Sequence, residues 1–208
     1  NLRLVTLAGQ ETLPGDRARF AAALPDTAFV VFYGQTEATT RILWLPPEDF
    51  LRHADAAGRP IPGVEARLED DELVVTGPNV AAGWLDGPRF DGVLRTGDLF
   101  APHPAGYRFL GRRDGVFKRA GEKVVPERIE AALRAHPAVE SCLVSPERGA
   151  RGDLEPVARV VTRQTVDAAA LLRFCRATLP PAMVPARILL VPALAATLSG
   201  KVSRWPPA

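Results

Sequence analysis

Lysine is scarce in this 208-residue chain: of 26 basic residues only Lys118, Lys123 and Lys201 are lysines. Where arginine serves as the general positive charge, a retained lysine is a candidate for work that needs a compact ammonium on a slim stem, such as reaching one phosphate oxygen. Cysteine is nearly absent. Cys142 and Cys175 are too few for a disulfide scaffold or a cysteine-built zinc site, and their apolar neighbours mark them as small core residues. Three scattered histidines, His53, His103 and His136, make no metal-ligand cluster. No apolar run approaches the 18 or so residues of a membrane-spanning helix, so no membrane span is expected. The apolar run of residues 1–9 is too short for a secretory signal and reads as a strand. A cytoplasmic location is the expectation that follows.

What the chain does contain is an ordinary globular composition, 47% hydrophobic and 24% charged, with 20 Pro and 17 Gly. Its charge is unevenly divided. Residues 1–110 hold 10 basic and 15 acidic side chains, whereas residues 111–208 hold 16 and 9, so a net −5 is followed by a net +7. Such asymmetry points to two units with different work. A basic unit fits phosphorylated ligands or an acidic partner. With no helix-turn-helix spelling, zinc finger or aromatic–basic ribonucleoprotein motif, nucleic acid is not expected as a partner.

Along the chain, Leu2–Ala8 reads as a strand, Asp16–Leu24 as a helix with Phe20 and Leu24 on its apolar face, and Ala28–Tyr33 as a buried strand. Strand, helix and strand within about 33 residues predict a βαβ unit over 1–57 with a parallel sheet, whose ligands sit beyond the carboxyl ends of the strands. Short alternating segments from 58 to 110 predict a small antiparallel barrel or sheet. Gly111–Gly115 is a polar break, and it coincides with the charge reversal. Beyond it, residues 116–208 read as a compact α+β domain. Val116–Arg119 and Lys123–Val125 form a hairpin, and Pro126 opens a helix that buries Ile129, Ala132 and Leu133. Strands are expected at Val139–Val144, Pro156–Val161 and Ala186–Val191, with a helix capped by Asp167 between the last two. The expected class is thus α/β plus α+β.

Four segments then line up: Tyr33-Gly34-Gln35-Thr36-Glu37, Arg95-Thr96-Gly97-Asp98-Leu99, the run from Gly111 to Gly121, and Leu198-Ser199-Gly200-Lys201. In this order and spacing they resemble the adenylate-forming enzymes: acyl-CoA synthetases, aryl-acid ligases, luciferases and adenylation domains of nonribosomal peptide synthetases. The resemblance covers nearly the whole chain. It implies the C-terminal half of such a ligase, with residues 1–110 ending the large domain, 111–115 the hinge and 116–208 the small mobile domain. The family's Ser/Thr/Gly-rich phosphate loop, which ends in lysine, has no counterpart here. The chain is therefore expected to be inactive alone and to need an N-terminal half or a complementing chain as partner.

The resemblance also implies roles. Such enzymes join a carboxylic acid to AMP from ATP with Mg²⁺, then pass the acyl group to the thiol of CoA or of a carrier protein's phosphopantetheine. Tyr33 would lie against the adenine, with Gly9 and Gln10 bordering it. Gly34 would let the backbone approach the reacting carboxylate, Thr36 would donate to the α-phosphate, and Glu37 would hold Mg²⁺. Asp98 would accept from both ribose hydroxyls, and Arg112 would contact the ribose or phosphate edge. Lys201 would stabilise charge on the carboxylate and α-phosphate. Lys118 and Gly121 would serve the thioester-forming pose, with Gly121 in the thiol channel and Asp114 as the hinge. Lys123 reads as surface. Two functions remain open at this point: a half of a catalytic acid–thiol ligase, or a non-catalytic half that binds a carrier protein, CoA or a complementing chain. The βαβ piece is also expected to leave a sheet edge and an apolar face open to an interface.

Overall fold

The six unbroken apolar residues Ala28–Tyr33 form a strand whose Phe29, Val30 and Val31 are buried, as a strand covered on both faces requires. The structure, a computed structural model, describes residues 2–9, 12, 14–149 and 152–194. Gln10 and Lys201 lie outside the described residues. The chain divides into two compact units, Asn1–Arg113 and Asp114–Ala208.

In the first unit, β1 (Leu4–Leu7), α1 (Pro14–Ala23) and β2 (Ala28–Tyr33) make the expected βαβ motif, and β1 pairs parallel to β2 with Leu7 opposite Val31. β3 (Leu43–Leu45) and β4 (Arg59–Pro60) extend this sheet antiparallel, in the order β1-β2-β3-β4. A second, wholly antiparallel sheet follows in sequence order: β5 (Glu65–Glu69), β6 (Glu72–Thr76), β7 (Val93–His103) and β8 (Gly106–Arg112). One cluster, with Ile42, Leu43, Leu73, Val75 and Phe100 fully buried, joins residues of both sheets.

The helix α1 departs from its expected pattern. Phe20 and Leu24, read as its buried face, are 40% and 38% exposed, and the helix residue that is buried is Arg17. Its guanidinium donates to the carbonyls of Thr12 (3.1 Å), Ala56 (3.0 Å) and His53 (3.4 Å). Five N–H donors in a planar fork let arginine satisfy several carbonyls at once, so here a charged group anchors the helix that apolar spacing assigned to Phe20 and Leu24. Leu2 and Leu4 on the β1 side are also more than half exposed.

In the second unit, β9 (Phe117–Arg119) and β10 (Glu122–Val124) form a hairpin with Lys118 opposite Lys123. α2 (Pro126–Arg134) buries Ile129 and Leu133 completely. β11 (Val139–Arg148), β12 (Leu154–Thr162) and β13 (Arg187–Leu190) make a mixed sheet with β12 central and parallel to β13. α3 (Ala168–Thr178) packs Leu171 and Cys175 into the same core as Ile129, Leu133, Cys142 and Val144. Burial pushes the Cys142 thiol up to about 12 and the Cys175 thiol up to about 11, so neither is a reactive thiolate.

Asp167 caps α3, its Oδ1 accepting from the Ala170 amide at 2.6 Å. Removing this acceptor leaves an orphan donor at the helix start. Asp167→Ala is expected to cost about 1 kcal/mol and to lower the melting midpoint of the second unit by a few degrees. Circular dichroism checks this, and an unchanged midpoint would show the cap to be idle.

Candidate functional site

The first wall of the site is the turn after β2. Thr36–Ala38 form one 3₁₀ turn, and Thr39 and Thr40 both take left-handed backbone (φ 55° and 61°). A β-branched residue pays about 1–3 kcal/mol for that conformation. Four hydrogen bonds hold the turn nonetheless. The Thr40 amide donates to Gln35 O and the Ile42 amide to Tyr33 O, both at 2.8 Å. The Asn79 side-chain amide donates to Arg41 O at 2.7 Å, and the Ala81 amide to Glu37 O at 2.8 Å. The backbone folds back so tightly that a Cβ on Gly34 would sit 2.2 Å from the Thr40 carbonyl carbon.

The second wall is Asp98 on β7, directly opposite Arg112 on β8. Asp98 is 4% exposed. Its Oδ2 accepts from the Tyr33 hydroxyl at 2.7 Å and from the Gln35 amide at 2.8 Å. The same Gln35 amide donates to Thr96 O at 2.8 Å, tying the turn after β2 to β7. Its Oδ1 lies 3.0 Å from the Arg112 guanidinium yet takes no well-aligned hydrogen bond among the described residues. Below it, Thr96 Oγ1 accepts from the Asp98 amide and donates to Leu73 O.

Burial raises the Asp98 carboxyl above its ordinary pKa, a shift that the Tyr33 hydrogen bond, the Arg112 charge and Gln35 oppose without cancelling. Burial and then the neighbouring Asp98 charge push the Tyr33 phenol far up, so Tyr33 remains a neutral donor. Its ring stands edge-on to Phe100, with centroids 4.9 Å apart. With its hydroxyl committed to Asp98, what Tyr33 can offer a ligand is its ring.

Tyr33, Gln35, Asp98 and Arg112 thus share one network, and Gly34 sits in sequence between the first two. Thr36 is exposed and Glu37 half-buried on the same turn. The parallel register of β1 and β2 carries Gly9 beyond the same sheet edge as Gly34. Asp114, Lys118 and Gly121 belong to the second unit. There Lys118 and Lys123 are exposed on the hairpin, and Ala120 and Gly121 make its turn with φ 49° and 84°. Glycine suits the second of these positions, because a Cβ there is strained at positive φ.

The residues that sequence reading missed are Gln35, Thr96, Asn79 and Glu72. Gln35 and Thr96 sit inside quoted motifs, where a polar side chain beside an aspartate was a usable signal. Nothing in the sequence marks Glu72, a buried carboxylate at the head of a strand whose next three residues are apolar.

A buried carboxylate oxygen without an aligned donor, beside a guanidinium and an aromatic ring, is chemically suited to a ribose hydroxyl with its base and phosphate. Glu37, with no ion-pair partner among the described residues, carries carboxylate oxygens of the hard type that a Mg²⁺ ion prefers.

Known families and proteins match this chain in sequence and fold. The AMP-binding enzyme family profile matches residues 1–85, and that of the AMP-binding enzyme C-terminal domain matches residues 128–201. The chain is 30% identical to a 2-succinylbenzoate–CoA ligase of Listeria innocua, over 98% of this chain and 45% of that protein. It is 36% identical to an isonitrile lipopeptide synthase of Streptomyces coeruleorubidus, over 98% of this chain and 15% of that protein. Its fold matches an o-succinylbenzoate coenzyme A synthetase of Bacillus subtilis solved with ATP and magnesium ion, with TM-score 0.85 and 26% identity over 97% of this chain and 45% of that one. The chain thus spans under half the length of these relatives.

Proposed function

The chain belongs to the AMP-binding, adenylate-forming ligases, and from that premise we propose that it supplies the ribose-binding wall and the mobile lobe of an ATP-dependent acid–thiol ligase. The observation that carries this reading is the buried Asp98, oriented by Tyr33 and Gln35 through one oxygen and paired with the Arg112 guanidinium through the other. Asp98 accepts from the ribose hydroxyls, Arg112 meets the ribose or phosphate edge, and the Tyr33 ring borders the adenine with Gly9 and Gln10. Thr36 donates its hydroxyl to the α-phosphate. Glu37 would hold a Mg²⁺ ion, which when bound would neutralise phosphate charge.

The carboxylic acid attacks the α-phosphorus, forming the acyl adenylate and releasing pyrophosphate. Lys201 provides the ammonium that offsets charge building on the carboxylate and α-phosphate oxygens. The thiol of CoA or of a carrier protein's phosphopantetheine then displaces AMP, with Lys118 and Gly121 on the lobe that serves this step. Asp114 is the hinge, the first residue of the second unit. The C-terminal part of a ligase would work with the N-terminal sequence that the relatives carry. No described helix is long and apolar enough to cross a membrane.

Calorimetric titration with AMP tests the ribose site. Asp98→Asn keeps the shape but loses the charge, and hydrogen bonds to a charged acceptor are worth about 1.5–3 kcal/mol, so AMP affinity is expected to fall by about tenfold or more. Equal affinity for AMP in the variant and the parent would remove Asp98 from the site.

A further inference from the structure

Behind the Asp98–Arg112 pair lies a second acid–arginine pair. Glu72 heads β6 and is 3% exposed. Its Oε1 accepts from the Gly97 amide at 2.9 Å. Its Oε2 accepts from Arg95, whose nearer nitrogen is 2.7 Å away, and from the guanidinium of Arg113. A buried carboxylate stays ionised only when such partners fill its lone pairs. Burial alone would raise its pKa, but the Gly97 amide and the guanidinia of Arg95 and Arg113 outweigh that and hold it below the usual value.

The placement of these partners is the informative part. Gly97 immediately precedes Asp98, and Arg113 immediately follows Arg112. One carboxylate therefore grips the chain next to each member of the pair that faces the ligand. It does so where the ladder is irregular: the register of β6 against β7 shifts between Glu72 and Val74, and that of β7 against β8 shifts between Leu99 and Phe100. Asp98 and Arg112 are ladder partners at the end of the paired stretch, with irregular pairing close by on either side, and Glu72 adds a side-chain tie next to each of them.

We propose that Glu72 is a positioning residue for ribose recognition, holding Gly97 and Arg113 so that Asp98 and Arg112 face the ribose together. This rests on the nucleotide reading above. In Glu72→Gln the amide oxygen still accepts from Gly97, but the amide nitrogen turns donors toward the donors of Arg95 and Arg113. The grip on the β8 side is lost while the bulk of the side chain is kept.

The test compares AMP with 2′,3′-dideoxy-AMP, which lacks both ribose hydroxyls, by calorimetry on the full chain. The parent is expected to prefer AMP by about tenfold or more, the worth of hydrogen bonds to a charged acceptor, and Asp98→Asn to abolish that preference. Glu72→Gln should cut the preference at least threefold, and Glu72→Gln with Asp98→Asn should lose no more preference than Asp98→Asn alone, as expected of coupled neighbours. A purely structural role would weaken both nucleotides equally and leave the ratio intact, and that result in a folded Glu72→Gln overturns the proposal. If Glu72→Gln does not fold, Arg113→Gln decides: a reduced AMP preference supports the proposal and an unchanged one overturns it. A parent that binds no AMP, or does not discriminate between the two nucleotides, refutes the nucleotide reading itself and the inference with it. A discriminating parent with an unaltered Glu72→Gln refutes the inference alone.

Discussion

Replacing Lys201 by alanine is expected to slow acyl-adenylate formation by about 10²–10³-fold, the usual cost of deleting one group that stabilises charge in the transition state. The expectation rests on family membership and on the chain's own habit of using arginine nearly everywhere else. A compact ammonium can be placed between a carboxylate oxygen and an α-phosphate oxygen, whereas a planar guanidinium is broader and prefers to bind two oxygens in its own plane. Lys201→Arg should therefore restore little of the lost rate although it restores the charge. The measurement is acid-dependent exchange of labelled pyrophosphate into ATP, made with this chain together with the N-terminal half that the relatives carry. AMP affinity should change far less than the exchange rate if, as proposed, the group acts on the reacting atoms. An exchange rate untouched by Lys201→Ala would end the role proposed for this lysine.

Gly34→Ala should be the most damaging small substitution at the site. The added Cβ would lie 2.2 Å from the Thr40 carbonyl carbon, 2.3 Å from its oxygen and 2.5 Å from the Arg41 nitrogen. These are backbone atoms, held by the hydrogen bonds that the Thr40 amide donates to Gln35 O and the Ile42 amide to Tyr33 O, so no side chain can swing aside. The turn has to open, at a cost of about 3 kcal/mol, which lowers the melting temperature of a unit this size by roughly 10 °C. Opening it also moves Gln35 away from Asp98, so AMP affinity should fall alongside stability. Thermal denaturation and AMP titration of the same sample check both effects. A variant with the parent's melting temperature would mean that the return of the chain over Gly34 is looser than the described geometry.

Much of the architecture can be read from the letters because burial and periodicity coincide there. Ala28–Tyr33 is apolar throughout and is a central strand, and Ile129 and Leu133 recur at helical spacing and are fully buried. The helix α1 lies where the spacing predicts it, but Phe20 and Leu24 stay partly exposed, and Arg17 anchors the helix through the carbonyls of Thr12 and the distant Ala56. Gly111 was read as part of a break, yet β8 runs on through Arg112 before the 3₁₀ turn of 113–115. At the site, motif spelling singled out Asp98 and Tyr33 but not their bond to each other. Nor could it reveal Glu72, whose significance comes from Gly97 and Arg113, residues 25 and 41 positions away. Those long-range pairings are set by strand order, which single-residue propensities do not encode.

The turn after β2 has a practical corollary for anyone transplanting it into another scaffold. The letters Gly-Gln-Thr-Glu are not a self-sufficient cassette. Their shape depends on two threonines in an unfavoured conformation, on the return of Ile42 to Tyr33, and on fasteners reaching in from Asn79 and Ala81. The smallest portable piece is therefore two-part, residues 33–42 with 77–81, and a graft of the first part alone would relax into a different loop.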